Sequence, residues 1–99
     1  MAIDVEWQNE LGETLARYDG PDLEASFVEA APSSSVCLRF IDPWGDTTFN
    51  QQQLESLISE LEAVASGSAK SHRLVASALL RFVAQARDQV HTYVKFIGD

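Results

Sequence analysis

The sequence predicts an α+β domain, an antiparallel sheet of about four strands packed against a two-helix hairpin. Three observations lead there. Residues 3–7 alternate apolar and polar side chains, as a half-buried strand does. Residues 51–65 and 69–89 each repeat apolar side chains at three- and four-residue steps, with only a Ser-Gly-Ser link between them. The runs VCLRFI and HTYVKFI, rich in β-branched and aromatic residues, supply further strands. A chain of 99 residues has room for one core, so residues 1–99 are read as a single domain.

The elements follow in order. Ile3, Val5 and Trp7 share one face of the first strand, with Asp4, Glu6 and Gln8 on the other. Asn9 to Gly12 supply a turn in which Gly12 takes positive φ, and residues 14–18 return as the second arm of a hairpin. Residues 23–31, LEASFVEAA, are read as a less regular third strand, although their Ala and Glu content also permits a short helix. Val36 to Ile41 is the strongest strand, with Val36, Leu38 and Phe40 facing the core. Pro43 and Gly45 place a tight turn at Asp42 to Asp46, with Gly45 in the positive-φ position. Thr47 to Phe49 then pairs back as a short strand.

Asn50 is a good helix N-cap, and Gln53 stands where a capping box needs it. Leu54, Leu57, Ile58, Leu61 and Val64 form the apolar stripe of the first long helix, with Glu55, Ser59 and Glu62 opposite. Gly67 suits a left-handed C-cap. Val75, Leu79, Phe82, Val83 and Ala86 make a broad apolar face on the second, which Leu80 and Ala84 widen. Residues 91–97 close the chain as a strand. The expected core is Ile3, Val5, Trp7, Val36, Leu38, Phe40, Leu57, Leu61, Leu79 and Phe82.

Charge is unevenly distributed. Residues 1–62 hold thirteen acidic side chains against Arg17 and Arg39, a net of −11, and residues 63–99 hold five basic against two acidic, a net of +3. The overall −8 disfavours nucleic acid, whose phosphates need a basic face. No apolar run is long enough to span a bilayer, so no membrane partner is expected. The opening MAIDVEWQNE lacks the character of a signal peptide, and a lone Cys37 suits a reducing compartment, so a cytoplasmic location is expected.

Catalytic chemistry finds little support. A nucleophile needs a base within reach, and Cys37 with His72 or His91 is the sole thiol–imidazole option, in no setting that would lower a thiol pKa. His91 with Asp42 is the one other group to nominate for an enzyme. The two histidines lack paired zinc spacing. Asp4, Asp42 and Asp46 could gather oxygen ligands, but aspartates flanking a Pro-Trp-Gly turn more often cap their own backbone. No catalytic residue, metal or cofactor is therefore assigned.

The block FIDPWGDTTFN at residues 40–50 and the ending HTYVKFIGD at residues 91–99 resemble a group of small, uncharacterised bacterial proteins. That group shares an FIDP-aromatic-GD-T-x-FN block, a following acidic amphipathic helix and a terminal HTY-x-KF-x-GD segment. The resemblance covers about residues 36–99, implies a small bacterial cytosolic protein, and carries over no catalytic residue. Small acidic bacterial proteins of this kind are often immunity proteins, an analogy that shifts the expectation only.

The functional expectation is a binding protein that neutralises a basic partner, such as a bacterial toxin, with the acidic half steering the encounter. Glu55 and Glu62, about two helical turns apart, are expected to join Asp4 and Glu6 in one acidic plate, with Trp44 or Tyr93 as aromatic anchor. Arg73 and Arg81 reaching the two glutamates would erase that plate. The alternative is a homodimeric structural or regulatory module built on the broad face of the second helix.

Overall fold

A computed structural model describes residues 2–67 and 69–98; Ser68 of the interhelical link and Asp99 of the terminal segment lie outside them. The first hairpin forms as the alternation predicts, from β1 (Asp4–Asn9) and β2 (Thr14–Arg17). Asn9 organises its turn. Its Oδ1 accepts the N–H of Leu11 at 2.9 Å and of Glu13 at 3.0 Å, and Gly12 takes φ +82°. β3 (Asp46–Asn50) and β4 (Thr92–Ile97) complete an antiparallel sheet in the order β2-β1-β4-β3. The last strand lies between the first and the third, pairing Glu6 with Lys95 on one side and Thr48 with Lys95 on the other.

Two long helices form where the apolar stripes lie, α2 (Gln51–Ala65) and α3 (Lys70–Arg87), numbered after a short α1 (Ala25–Glu29). The capping box is present: Asn50 Oδ1 accepts the Gln53 N–H and Gln53 Oε1 accepts the Asn50 N–H, both at 2.9 Å. The helix hairpin covers one face of the sheet, where Val5, Phe49, Val94 and Phe96 meet Leu54, Leu57, Leu61, Leu79 and Val83. Burying each such side chain contributes about 1.5–3 kcal/mol. Asp4, Glu6, Tyr93 and Lys95 leave the other, uncovered face. No helix among the described residues is long and apolar enough to cross a membrane.

Three expectations fail. Residues 25–29 form α1 instead of a strand, entered from the extended Glu24, and consecutive Phe27 and Val28 are both buried, where a half-buried strand would bury only alternate side chains. Val36 to Ile41 is no strand either. Its centre is a 3-10 turn at Leu38–Phe40, with Cys37, Leu38 and Ile41 buried while Val36 and Phe40 are 62% and 56% exposed. Val36 and Phe40 thus leave the expected core, and Trp7 and Phe82 are only partly buried against it. The cause is a carboxylate distant in sequence. Glu60 on α2 accepts the backbone N–H groups of Val36 at 2.7 Å, Leu38 at 2.9 Å and Cys37 at 3.3 Å. With those donors satisfied by a side chain, the segment has no need of a sheet neighbour.

The third failure concerns glycine. Asp42 to Asp46 is the expected turn, closed by Gly45 N–H on the Asp42 carbonyl at 3.3 Å, but Gly45 has no positive φ. A Cβ there would lie 2.8 Å from Asp42 Oδ2, so the carboxylate that accepts the Trp44 backbone N–H would have to shift. Gly67 likewise stays out of the left-handed region; α2 ends with Ser66 N–H on the Glu62 carbonyl at 3.1 Å.

Candidate functional site

The expected acidic plate divides into two surfaces, because Asp4 and Glu6 leave the uncovered sheet face whereas Glu55 and Glu62 stand on the helix layer behind it. Glu6 is also occupied. Its carboxylate accepts Gln8 Nε2 at 3.0 Å, Thr14 Oγ1 at 2.8 Å and Arg17 Nε at 3.2 Å. The Gln8 and Thr14 hydrogen bonds, with the Arg17 charge adding to them, hold its carboxyl below the usual value of 4.5 against the opposing effect of burial. Glu6 therefore fixes β2 to β1 and offers little to a partner.

On the helix layer Glu55 lies 4.0 Å from Arg87 Nε, which also pairs with Asp88 at 3.2 Å. Glu62 makes no ion pair among the described residues. Neither Arg73 nor Arg81 neutralises these glutamates. Arg73 turns to the Gly67 carbonyl at 3.1 Å, and Arg81 lines a cleft beside Tyr18 and Phe82. The Arg–Glu cancellation considered from the sequence is thus confined to Glu55, through a different arginine.

The aromatic candidates differ in standing. Trp44 is 71% exposed at the turn tip, with its N–H on Asp42 Oδ1 at 2.9 Å, so it projects outward and does not cover the core. Tyr93 is half-buried on the uncovered face, in register with Gln8 and Asn50. The extra apolar residues of α3, Leu80 and Ala84, pack against the core; Leu74 is the large side chain that α3 leaves exposed.

Asp4 is the candidate that the fold places in company. It shares a cleft of about 150 Å³ with Asp19 and Asp22. The loop bearing those two is folded over Tyr18, whose hydroxyl donates to the Pro21 carbonyl at 2.7 Å and whose ring meets Phe82 edge-on at 6.0 Å. A Cβ on Gly20 would lie 2.6 Å from Tyr18 Oη, so a side chain there would force Tyr18 or the loop to shift. Burial raises the Tyr18 hydroxyl pKa, with Arg81 opposing and Asp22 adding to the rise. No ion pair joins Asp4, Asp19 or Asp22 to a cation among the described residues, although Asp19 also borders the cleft that holds Arg17 and Arg81. In the sequence Asp19 and Asp22 simply flank a Gly-Pro break. The signal that joins them to Asp4 is the pairing of Ala2 with Glu24, which lays the start of the chain beside residue 23.

The groups considered for catalysis stay apart. Burial, with the Glu60 carboxylate adding to it, pushes the Cys37 thiol up to about 11, and its Sγ lies 3.6 Å from the Gln53 carbonyl. His91 Nδ1 lies 3.6 Å from Glu10 Oε2, and no hydrogen bond joins His91 to Asp42 or Cys37 among the described residues. No group of three or more His, Cys, Asp or Glu side chains is arranged to hold a metal ion among those residues. A groove of about 420 Å³ between residues 30–35 and α2 has Glu60 as its carboxylate, already engaged by three backbone N–H groups.

Compared with protein-family models, curated proteins and solved structures, the chain matches none of them. The likeness of the FIDPWGDTTFN and HTYVKFIGD blocks to small bacterial proteins gains no support from those comparisons.

Proposed function

We propose that this chain is a cytoplasmic binding protein whose acidic surface takes a cationic segment of a basic protein, in the manner of an immunity protein that neutralises a toxin. The cleft of Asp4, Asp19 and Asp22 carries the reading. Carboxylates gathered at one cleft repel one another, and a lysine or arginine entering between them relieves that repulsion and steers the encounter. The volume of about 150 Å³ supports a side-chain end over a metabolite, since small-molecule pockets usually run about 300–1,000 Å³. Arginine suits the cleft best, because its planar fork can bridge two carboxylates. Glu62, exposed on the helix layer, extends the negative field without sharing the site.

The test is a low-salt capture from the native host with the wild-type chain and with an Asp4→Asn, Asp19→Asn, Asp22→Asn variant, followed by reconstitution from purified components. The reading expects a basic protein held in about equimolar amount by the wild-type chain, lost with the variant, and silenced in its own activity by the complex. Recovery of no basic protein, or equal recovery by the variant, defeats it.

A further inference from the structure

We propose that the groove at the hairpin end of the sheet docks a segment of another protein carrying a large apolar side chain with a lysine or arginine beside it. The groove, about 320 Å³, lies between the β1–β2 turn and the α3–β4 turn. Leu11 and Val90 on its rim are 79% and 74% exposed, and Leu15 between them is exposed as well. Leu11 and Val90 are the two most exposed large aliphatic side chains of the described residues, and the fold brings them to one concavity with Leu15. Exposed apolar surface gathered in this way marks an interaction site.

Both rims are held in place. Asn9 Oδ1 fixes the turn that presents Leu11. Buried Thr92 donates its hydroxyl to the Ala86 carbonyl at 2.8 Å and approaches the Gln89 carbonyl at 3.1 Å, fixing the turn that presents Val90. His91 between them has φ 57°, the one left-handed non-glycine conformation among the described residues, and such strain persists where surrounding structure enforces it. Trp7 also lines the groove, and its buried indole N–H has no acceptor among the described residues.

Charge complementarity selects the partner. The lining contains the Glu10 carboxylate, whose Oε2 lies 3.6 Å from His91 Nδ1, and neither lysine nor arginine, and exposed Glu13 stands on the same turn. A cation beside the inserted side chain therefore meets favourable charge, and an acidic one is repelled. A second copy of this chain could offer Leu74, flanked by Lys70 and Arg73 on α3. That contact joins two different surfaces of the chain, whereas the commonest homodimers use one self-complementary patch, which favours a different protein as occupant. The groove lies at the opposite end of β1 from Asp4, about 17 Å away at some 3.4 Å per residue, and does not depend on the acidic cleft.

The test titrates nitrogen-15-labelled protein with three short peptides, alternating Leu/Lys, Leu/Glu and Ser/Lys. The Leu/Lys peptide is expected to shift the amides of residues 9–15 and 89–92 and the indole N–H of Trp7, leaving that of Trp44 unmoved. Affinity is expected to fall about tenfold or more for either control peptide and for a Leu11→Ser, Val90→Ser variant, both substitutions lying on exposed side chains. Equal effects from all three peptides overturn the proposal. Shifts confined to residues 4 and 18–23 also overturn it while leaving the acidic cleft standing. Oligomers that grow with concentration and vanish in the Leu11→Ser, Val90→Ser variant assign the groove to a second copy and overturn it equally.

Discussion

Glu60 Oε2 accepts the backbone N–H of Val36 at 2.7 Å across twenty-four residues of sequence, and its Oε1 takes the N–H of Leu38 at 2.9 Å. This carboxylate acts as the cap of the 3-10 turn and ties the loop before β3 to the middle of α2. Glu60→Ala leaves three backbone donors without their acceptor, and loss of charge-assisted hydrogen bonds of this kind costs about 2–3 kcal/mol. Urea unfolding should register that loss, with Glu60→Gln retaining part of the stability. An alanine variant within about 0.5 kcal/mol of the wild type would show that the cap is incidental.

Gly20→Ala is expected to displace the loop that bears Asp19 and Asp22, because its Cβ would lie 2.6 Å from Tyr18 Oη and force apart the Tyr18–Pro21 hydrogen bond. Overpacking of this kind costs about 1–3 kcal/mol. Thermal unfolding reads the cost, and amide shifts across residues 18–23 read the displacement. An unshifted loop would mean that Tyr18 simply rotates away.

Glu6 makes stability depend on acid pH in a defined direction. Its carboxyl is held below 4.5 in the folded chain by Gln8, Thr14 and Arg17. Its contribution is therefore fully present above the unfolded value near 4.5 and is lost as pH falls through the lower folded value. The stability gap between wild type and Glu6→Gln should be constant at pH 6–7 and narrow below about 4.5. A gap that does not change with pH would assign no such role to the carboxylate.

Cys37 should resist alkylation while the chain is folded. With the thiol pushed up to about 11 by burial and Glu60, the thiolate fraction at pH 8 falls on the order of 100-fold below that of an ordinary cysteine. Iodoacetamide at pH 8 should modify the native protein at least that much more slowly than the urea-unfolded chain. Equal rates would show the thiol to be open to solvent.

Much of the fold is legible in short-range pattern. The Asn50–Gln53 box and the leucine stripe locate α2 because every determinant lies within one element. The hairpin and β4 are legible for the same reason, from alternation over residues 3–7 and 91–97. Val36 to Ile41 is misread because β-propensity registers a half-buried pleated surface, whereas these residues answer to Glu60 some twenty-two to twenty-four positions later. The acidic site fails in the same way. Alternation places Asp4 outward correctly, but the company of Asp19 and Asp22 depends on Tyr18 folding a loop back along the chain's start.

The most direct measurement of the acidic cleft's role is calorimetric titration of the chain with a deca-arginine peptide at low and moderate salt. The wild type is compared with the Asp4→Asn, Asp19→Asn, Asp22→Asn variant and with a Glu29→Gln, Glu55→Gln, Glu62→Gln control that removes the same formal charge elsewhere. The account predicts at least a tenfold loss of affinity in the aspartate variant, about 1.4 kcal/mol, a much smaller loss in the glutamate control, and weaker binding at higher salt. Equal losses in the two variants would contradict it, because binding would then follow net charge and not the cleft of Asp4, Asp19 and Asp22.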